Sequence, residues 1–206
     1  METRLALAQQ VIRILNGGRT TKDSRWKEQE IELALNEIRN ALAEIYFFQA
    51  LKNGGNSLDS AWFTTFENVP VQLDTNRNMW YSDLPSLPIA LPDKKGINMV
   101  TLMKDFYTQI IPMSNTSLWM FGESGTMDLQ NNMGYFQDEQ RIYYVNYIQN
   151  NYNLVLIDMV VNSMDIASDK LFPAPANVYE IMVDKCVQKY QPRIPVDVSN
   201  NNAPVQ

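Results

Sequence analysis

Two N-terminal segments have apolar residues at three- and four-residue steps, which predicts two amphipathic helices. The first runs from about residue 3 to residue 16 and ends at the glycine pair 17–18. The second begins after a cap at Asp23 or Ser24 and continues to the Asn-Gly-Gly at 53–55. Its apolar stripe has a 4-3-4-3 spacing and consists of Ile31, Leu35, Ile38, Leu42 and Ile45.

The C-terminal end of the second helix widens into Tyr46, Phe47 and Phe48 and is therefore apolar around most of its circumference. Such an end must be buried on several sides. It packs either against the core of the same chain or against another chain. Phe47 and Phe48 are therefore candidate partner-binding residues.

Between residues 58 and 145 the pattern changes to short β-rich runs separated by Pro, Gly and Asn. Prolines in this part break any long strand and favour edge or irregular segments. The runs are residues 61–66, 79–81, 88–91, 117–121 and 141–145.

A continuous apolar run at 153–161 follows, which we interpret as a buried strand. The prolines at 173 and 175 precede a helix predicted from about Ala176 to Tyr190, because proline presets the first turn of a helix. The remaining residues are rich in Pro and Asn and predict an extended tail.

These elements predict an α+β fold in which antiparallel helices form a helical bundle core with a β-rich insertion in the middle. Residues 1–57 and 146–190 form the bundle in this interpretation, residues 58–145 the β-rich insertion, and residues 191–206 an extended, flexible C-terminal tail.

Composition narrows the possible partners. The chain has 206 residues, 45% of them hydrophobic, which is enough for a real core. No apolar run reaches the roughly 18–20 residues that cross a bilayer, so we expect no membrane contact. The net charge of -6, with scattered basic residues, argues against a nucleic-acid surface, because phosphate binding needs clustered Lys and Arg.

Histidine is absent, which removes the commonest general base and metal ligand. The adjacent acids Asp138 and Glu139, and the acids at 158, 165 and 169, match no calcium loop. Gly-Glu-Ser-Gly at 122–125 lacks the last glycine of a nucleophile turn, and no phosphate-binding glycine motif occurs. We therefore expect no enzyme activity, cofactor or metal, and we expect the single cysteine, Cys186, to be a buried apolar residue.

The β-rich part contains most of the large aromatic residues. Trp62 and Phe63 are interpreted as core. Trp119 and Phe121 lie on one face of a short run beside the glycine-containing tip, where large side chains are either core or interface anchors. Both possibilities stay open at the level of sequence.

The order of elements resembles the head-to-tail adaptor, or ring, proteins of short-tailed bacteriophages, and those of crAss-like phages above all. The residues concerned are EIELALNEI at 30–38 in the long helix, and KLFPAPA at 170–176 followed by IMV at 181–183. The resemblance covers most of the chain as an arrangement of elements.

The resemblance implies a structural virion protein in the neck of the particle. It implies a homo-oligomeric ring of twelve copies beneath the portal protein, contacts with further tail or ring proteins, and a channel through which DNA passes without specific binding. It also implies that the C-terminal extension reaches a neighbouring ring, which makes the tail a candidate partner-binding segment. The residues concerned are Arg193, Ile194, Val196 and Val198.

Two other classes of function remain as alternatives. One is a non-catalytic module, either ligand-binding or part of the tail structure, that uses the aromatic middle of the chain. The other is a carboxylate-dependent enzyme such as a glycosidase, which places two acids roughly 5–9.5 Å apart in a cleft.

Overall fold

The computed structural model describes residues 2–18, 25–55, 57–91, 96–103, 105–113, 133–147 and 153–191. These ranges contain three α-helices, namely α1 (Arg4–Leu15), α2 (Glu28–Lys52) and α3 (Ala176–Tyr190). Two short 3-10 helices span Ser60–Trp62 and Ser163–Asp165. The strands are β1 (Thr64–Pro70), β2 (Gln72–Asp74), β3 (Met79–Asp83), β4 (Ile97–Leu102), β5 (Asp105–Gln109), β6 (Ile111–Pro112), β7 (Gly134–Asp138), β8 (Arg141–Val145) and β9 (Leu154–Met159).

Local sequence explains both ends of α1. The Thr3 hydroxyl accepts a hydrogen bond of 3.1 Å from the backbone N–H of Ala6, which caps the first turn. At the other end Gly17 and Gly18 both have positive φ, and the Gly18 N–H donates to the carbonyl of Arg13. The predicted helix from about residue 3 to residue 16 is therefore confirmed.

The later helices differ in how well their starts were predicted. Helix α2 begins at Glu28 after Lys27, and the predicted caps Asp23 and Ser24 lie outside the described residues. Helix α3 has the predicted bounds Ala176–Tyr190. Its Cys186 is fully buried, as expected.

The strands form two sheets. The four-stranded sheet has the order β1-β9-β4-β5, so β9 lies between β1 and β4. The five-stranded sheet has the order β2-β3-β8-β7-β6, and β6 and β7 pair in parallel while the other neighbours are antiparallel. The predicted strand within 153–161 is confirmed as β9.

Two hydrophobic cores follow from this arrangement. The first joins the three helices to Trp62, Leu91, Val160 and Phe172. The second is formed mostly by strand residues of both sheets. Its fully buried members are Val100, Ile110, Ile142, Val155, Ile157, Met159 and Val161.

The predicted helical bundle core is wrong, because the chain has a sheet-rich α+β fold in which the sheets have a core of their own. Strand β9 belongs to the segment that we had assigned to the bundle, yet it pairs with strands on both sides. Alternate β9 residues, Val155, Ile157 and Met159, pack into the sheet core. Val160 then points into the helical core and Val161 again into the sheet core, so the residues just after this strand contact both cores.

Some of the predicted β-rich runs form other structures. Residues 60–62 form a 3-10 helix that buries Trp62, and Phe63 packs partly buried against the same core. Residues 88–91 form no strand and make one isolated bridge between Pro88 and Val161. The run at 117–121 lies outside the described residues.

Candidate functional site

A groove with a volume of about 480 Å³ lies between α2 and the segment 87–91. The helix supplies one wall, and the segment supplies the other together with Asn162. The lining residues are Asn40, Ala41, Glu44, Leu87, Pro88, Ile89, Ala90, Leu91 and Asn162.

Backbone contacts fix the position of the 87–91 wall. The Ile89 N–H donates a hydrogen bond of 2.8 Å to the carbonyl oxygen of Val160, and Leu91 is buried in the helical core. Gly96 passes close beneath this wall, where a Cβ atom would collide with the carbonyl oxygen of Ile89. The wall is therefore tied to the end of β9 and to the start of β4.

Buried polar contacts fix the position of the helix wall. The Arg39 guanidinium donates to the carbonyl oxygens of Val161 at 2.6 Å, Pro173 at 2.8 Å and Trp62 at 3.1 Å. It also lies 5.8 Å from the centroid of the Trp62 ring. Burial lowers the pKa of Arg39 to about 10, so it stays protonated at neutral pH.

Two further contacts anchor the first half of α2. The Asn36 side chain donates to Asn162 Oδ1 at 2.8 Å, directly below the groove. One turn earlier, Glu32 accepts a hydrogen bond of 2.9 Å from Arg4 Nε in a buried ion pair and another from the Ser168 hydroxyl. These contacts join the first half of α2 to Asn162, which lines the groove, and to α1.

Large apolar side chains are exposed along the groove-lining face of α2 and on the facing segment. Leu33 is 49% exposed and Phe48 45% exposed on the helix, and Leu87 is 47% exposed on the facing segment. We call this area the α2 groove surface and define it by Leu33, Ala41, Glu44 and Phe48 of α2 with Leu87 and Ile89. Large apolar side chains exposed along one helix face are typical of a protein-binding surface.

Only part of the predicted partner-binding set lies on this surface. Phe47 is buried in the helical core, whereas the neighbouring Phe48 is exposed. The α2 end that we expected to be covered on several sides is thus open at Phe48 and also at Ile45. The other predicted residues lie outside the described ranges, namely Trp119, Phe121, Arg193, Ile194, Val196 and Val198.

Sequence reasoning missed the groove residues Leu33, Ala41, Glu44, Leu87 and Ile89. A signal for the helix wall was present, because positions 33, 37, 41, 44 and 48 have a 4-4-3-4 spacing and share one helix face. The spacing was overlooked because it carries two glutamates and lies opposite the stronger stripe that contains Ile31 and Leu35. No local pattern indicates that residues 87–91 pack beside this face.

A second notable surface is the outer face of the five-stranded sheet. Tyr81, Tyr143 and Phe136 are cross-strand neighbours there, with ring centroids 5.5–5.8 Å apart. The guanidinium of Arg77 lies 4.7 Å from the Tyr143 ring centroid, and that of Arg141 lies 4.5 Å from the Tyr81 ring centroid. The arginines therefore cover part of this aromatic row, and its central ring, Tyr143, is buried.

Three of the acids considered for chemistry are engaged in separate contacts. Asp138 accepts an ion-pair hydrogen bond of 2.7 Å from Arg77. Asp158 accepts from Thr65 and Asn98, and Asp165 accepts from the Ser86 hydroxyl. Within the described ranges, no group of three or more Cys, Asp or Glu side chains is placed to bind a metal ion.

Two further features bear on function. Burial raises the pKa of the Cys186 thiol to about 11, which leaves it protonated and unreactive at neutral pH. No helix of the described part is both long enough and apolar enough to cross a membrane.

Comparison of the sequence with protein-family models and with curated proteins finds no match.

Proposed function

We propose that this chain is a structural protein of a phage virion, a head-to-tail adaptor that forms a ring beneath the portal and joins it to the tail. The observation that carries the proposal is the α2 groove surface, where Leu33, Phe48 and Leu87 are exposed on an anchored framework. The order of elements resembles that of phage ring proteins, and this resemblance suggests that the assembly is a ring.

The internal anchoring of the helix supports an assembly role. Arg39 and the Arg4–Glu32 pair join α2 to segments far away in the sequence. Buried polar contacts of this kind favour one packing arrangement over others, because a partly satisfied buried network is costly. A subunit that keeps its shape presents the same surfaces to every neighbour in a ring.

The charge of the chain also supports a passive role toward DNA. Its net charge is -6, and an acidic channel wall repels the phosphate backbone. In this proposal DNA passes through the ring without specific binding, and the chain has no catalytic or cofactor site of its own. Its partners are further copies of the chain, the portal protein and the next tail or ring protein.

Co-expression with the portal protein of the same phage tests this proposal. We expect the chain to elute with the portal in size-exclusion chromatography and to appear as a closed ring in electron micrographs. An inert protein of similar size serves as the control for chance co-elution. A chain that elutes alone and leaves the portal ring unchanged would overturn the proposal.

The second candidate is a ligand-binding module, favoured by the aromatic row of Tyr81, Tyr143 and Phe136. Tyr81 and Phe136 are half-buried on either side of Tyr143, which is only 3% exposed, so these two outer rings are the ones on which a sugar or another flat ligand can stack. This candidate predicts that glycans quench or shift the intrinsic fluorescence, and that Tyr81→Ala abolishes the change. Without a fluorescence response in a glycan series, this candidate has no support.

A further inference from the structure

The C-terminal end of α3 lies beside the N-terminal half of α2. The Tyr190 hydroxyl donates a hydrogen bond of 3.2 Å to the carbonyl oxygen of Glu30, and Lys189 Nζ pairs with Glu37 Oε2 at 2.7 Å. Leu33 of the α2 groove surface lies between these two α2 positions on the same helix face. The chain that follows α3 therefore starts within about one helical turn of the groove surface.

The first residues after α3 have the sequence pattern of an extended segment with one apolar face. Apolar β-branched residues occupy every second position, which places them on one side of an extended chain. Prolines at 192 and 195 restrict the backbone, so that holding the segment extended costs less conformational entropy. The apolar residues are Ile194, Val196 and Val198, and the residues at 193, 195 and 197 are Arg, Pro and Asp.

The length of this segment matches the α2 groove surface. At a rise of about 1.5 Å per residue, Leu33 and Ala41 are roughly 12 Å apart along α2. Four extended residues span about the same distance, at roughly 3.3 Å each. Gln191 has extended dihedrals, φ -65 and ψ 130, and proline is favoured at the next position of a turn that folds the chain back along α2. Val196 thus reaches the level of Ala41.

We infer that residues 192–198 fold back along α2 of their own copy and cover the α2 groove surface. Ile194, Val196 and Val198 face the helix, and the residues between them face the solvent. The covalent connection selects this segment over other apolar parts of the chain, because a short tether gives an effective concentration on the order of millimolar. No second copy is needed, so the contact forms in the isolated chain.

The contact has a consequence for assembly, and this consequence rests on the proposed function. While the C-terminal tail lies on the groove surface, that surface is closed to a neighbouring copy. The C-terminal tail is itself a candidate partner-binding segment, so a portal or ring protein that takes up the C-terminal tail also uncovers the groove. Ring formation is then confined to the portal.

Engineered cysteines test the contact in the full chain at low concentration. In Ala41→Cys, Val196→Cys we expect a disulfide within one chain, detected as a cross-linked peptide by mass spectrometry. The matched control is Ile181→Cys, Val196→Cys, because Ile181 is exposed on α3, ten residues before Gln191 and so about 15 Å from the start of the C-terminal tail. The native Cys186 is buried and adds little background.

The rates of the two disulfides decide between a docked and a free C-terminal tail. We expect the Ala41 pair to form at least about tenfold faster than the Ile181 pair, at a rate independent of protein concentration. Unchanged melting temperatures show that the variants fold. Equal rates would overturn the contact, because a freely moving C-terminal tail reaches both cysteines alike. Disulfides formed mainly between chains would overturn it as well, because the groove would then take the C-terminal tail of another copy.

An added charge tests which side of the C-terminal tail faces α2. In the Ala41→Cys, Val196→Cys background, Ile194→Asp should slow the disulfide by about tenfold, because a carboxylate is poorly solvated against an apolar surface. Ser199→Asp is the matched control, since it adds the same charge on the alternate side of the extended chain. Equal slowing in both variants would overturn the assigned side.

Binding to the portal separates this inference from the proposed function. We expect the oxidised Ala41→Cys, Val196→Cys variant to elute apart from the portal and the reduced variant to elute with it. If the disulfide forms preferentially but the reduced variant does not bind the portal, the contact stands and the adaptor function fails. If the variant binds the portal without a preferred disulfide, the contact is wrong and the adaptor function stands. Equal binding of the oxidised and reduced variants would overturn the consequence for assembly.

Discussion

The guanidinium of Arg39 donates a hydrogen bond of 2.6 Å to the carbonyl oxygen of Val161, 122 positions later in the chain. Val161 belongs to the sheet core, whereas Val160 belongs to the helical core. Arg39 therefore joins α2 to the residues just after β9, where the chain contacts both cores.

Replacement of Arg39 by Met should destabilise the fold. The substitution leaves the carbonyl oxygens of Val161, Pro173 and Trp62 without this donor, and each buried unsatisfied group costs about 1–3 kcal/mol. We expect the free energy of unfolding to fall by about 3 kcal/mol or more, measured by urea denaturation. Arg141→Met, at an exposed ion pair, is the control and should have little effect. Equal denaturation midpoints for both variants would show that Arg39 is not a structural link.

Leu35→Asp should destabilise the chain by several kcal/mol, because Leu35 is fully buried and the new carboxylate has no partner in the core. Leu33→Asp is the matched control two residues earlier, on the exposed face of the same helix. Thermal unfolding followed by circular dichroism should show a large drop in Tm for the first variant and a small one for the second. A similar drop for both would place Leu33 in the core as well.

The thiol of Cys186 should resist modification in the folded chain. Burial raises its pKa from an ordinary value near 9 to about 11, so burial favours the neutral thiol. This contribution is complete below pH 9 and is lost as the pH rises toward 11, because the unfolded chain then ionises first. We expect slow reaction with a disulfide reagent at pH 8, fast reaction in denaturant, and a smaller loss of stability above pH 9 in Cys186→Ala. Rapid labelling of the folded chain at pH 8 would contradict this.

A chain that ends at Pro192 should unfold with the same cooperativity as the full chain but assemble less well. The prediction follows from the composition of residues 193–206, which include one Ile and three Val but no aromatic, Leu or Met side chain. Calorimetry of the shortened chain measures the cooperativity of unfolding. Its co-elution with the portal in size-exclusion chromatography measures assembly. A broadened or lowered transition would mean that the tail belongs to the core.

The sequence predicted the elements with strong local signals. The periodicity of α3 and the prolines before it gave its bounds, and the apolar run at 153–161 gave β9. The relation between elements was not predictable, because β1 pairs with β9 across some 90 residues, as in Thr65 with Asp158. Arg39 also resembled an ordinary polar helix position, since its carbonyl partners come from three distant segments.

Native mass spectrometry of the chain bound to its portal tests the central claim most directly. The account predicts one complex whose mass exceeds that of the portal by a fixed, whole number of 23.7 kDa chains, as in a closed ring. Twelve copies would agree with the resemblance to phage ring proteins. A chain that stays at the mass of one copy, with the portal present and intact, would contradict it.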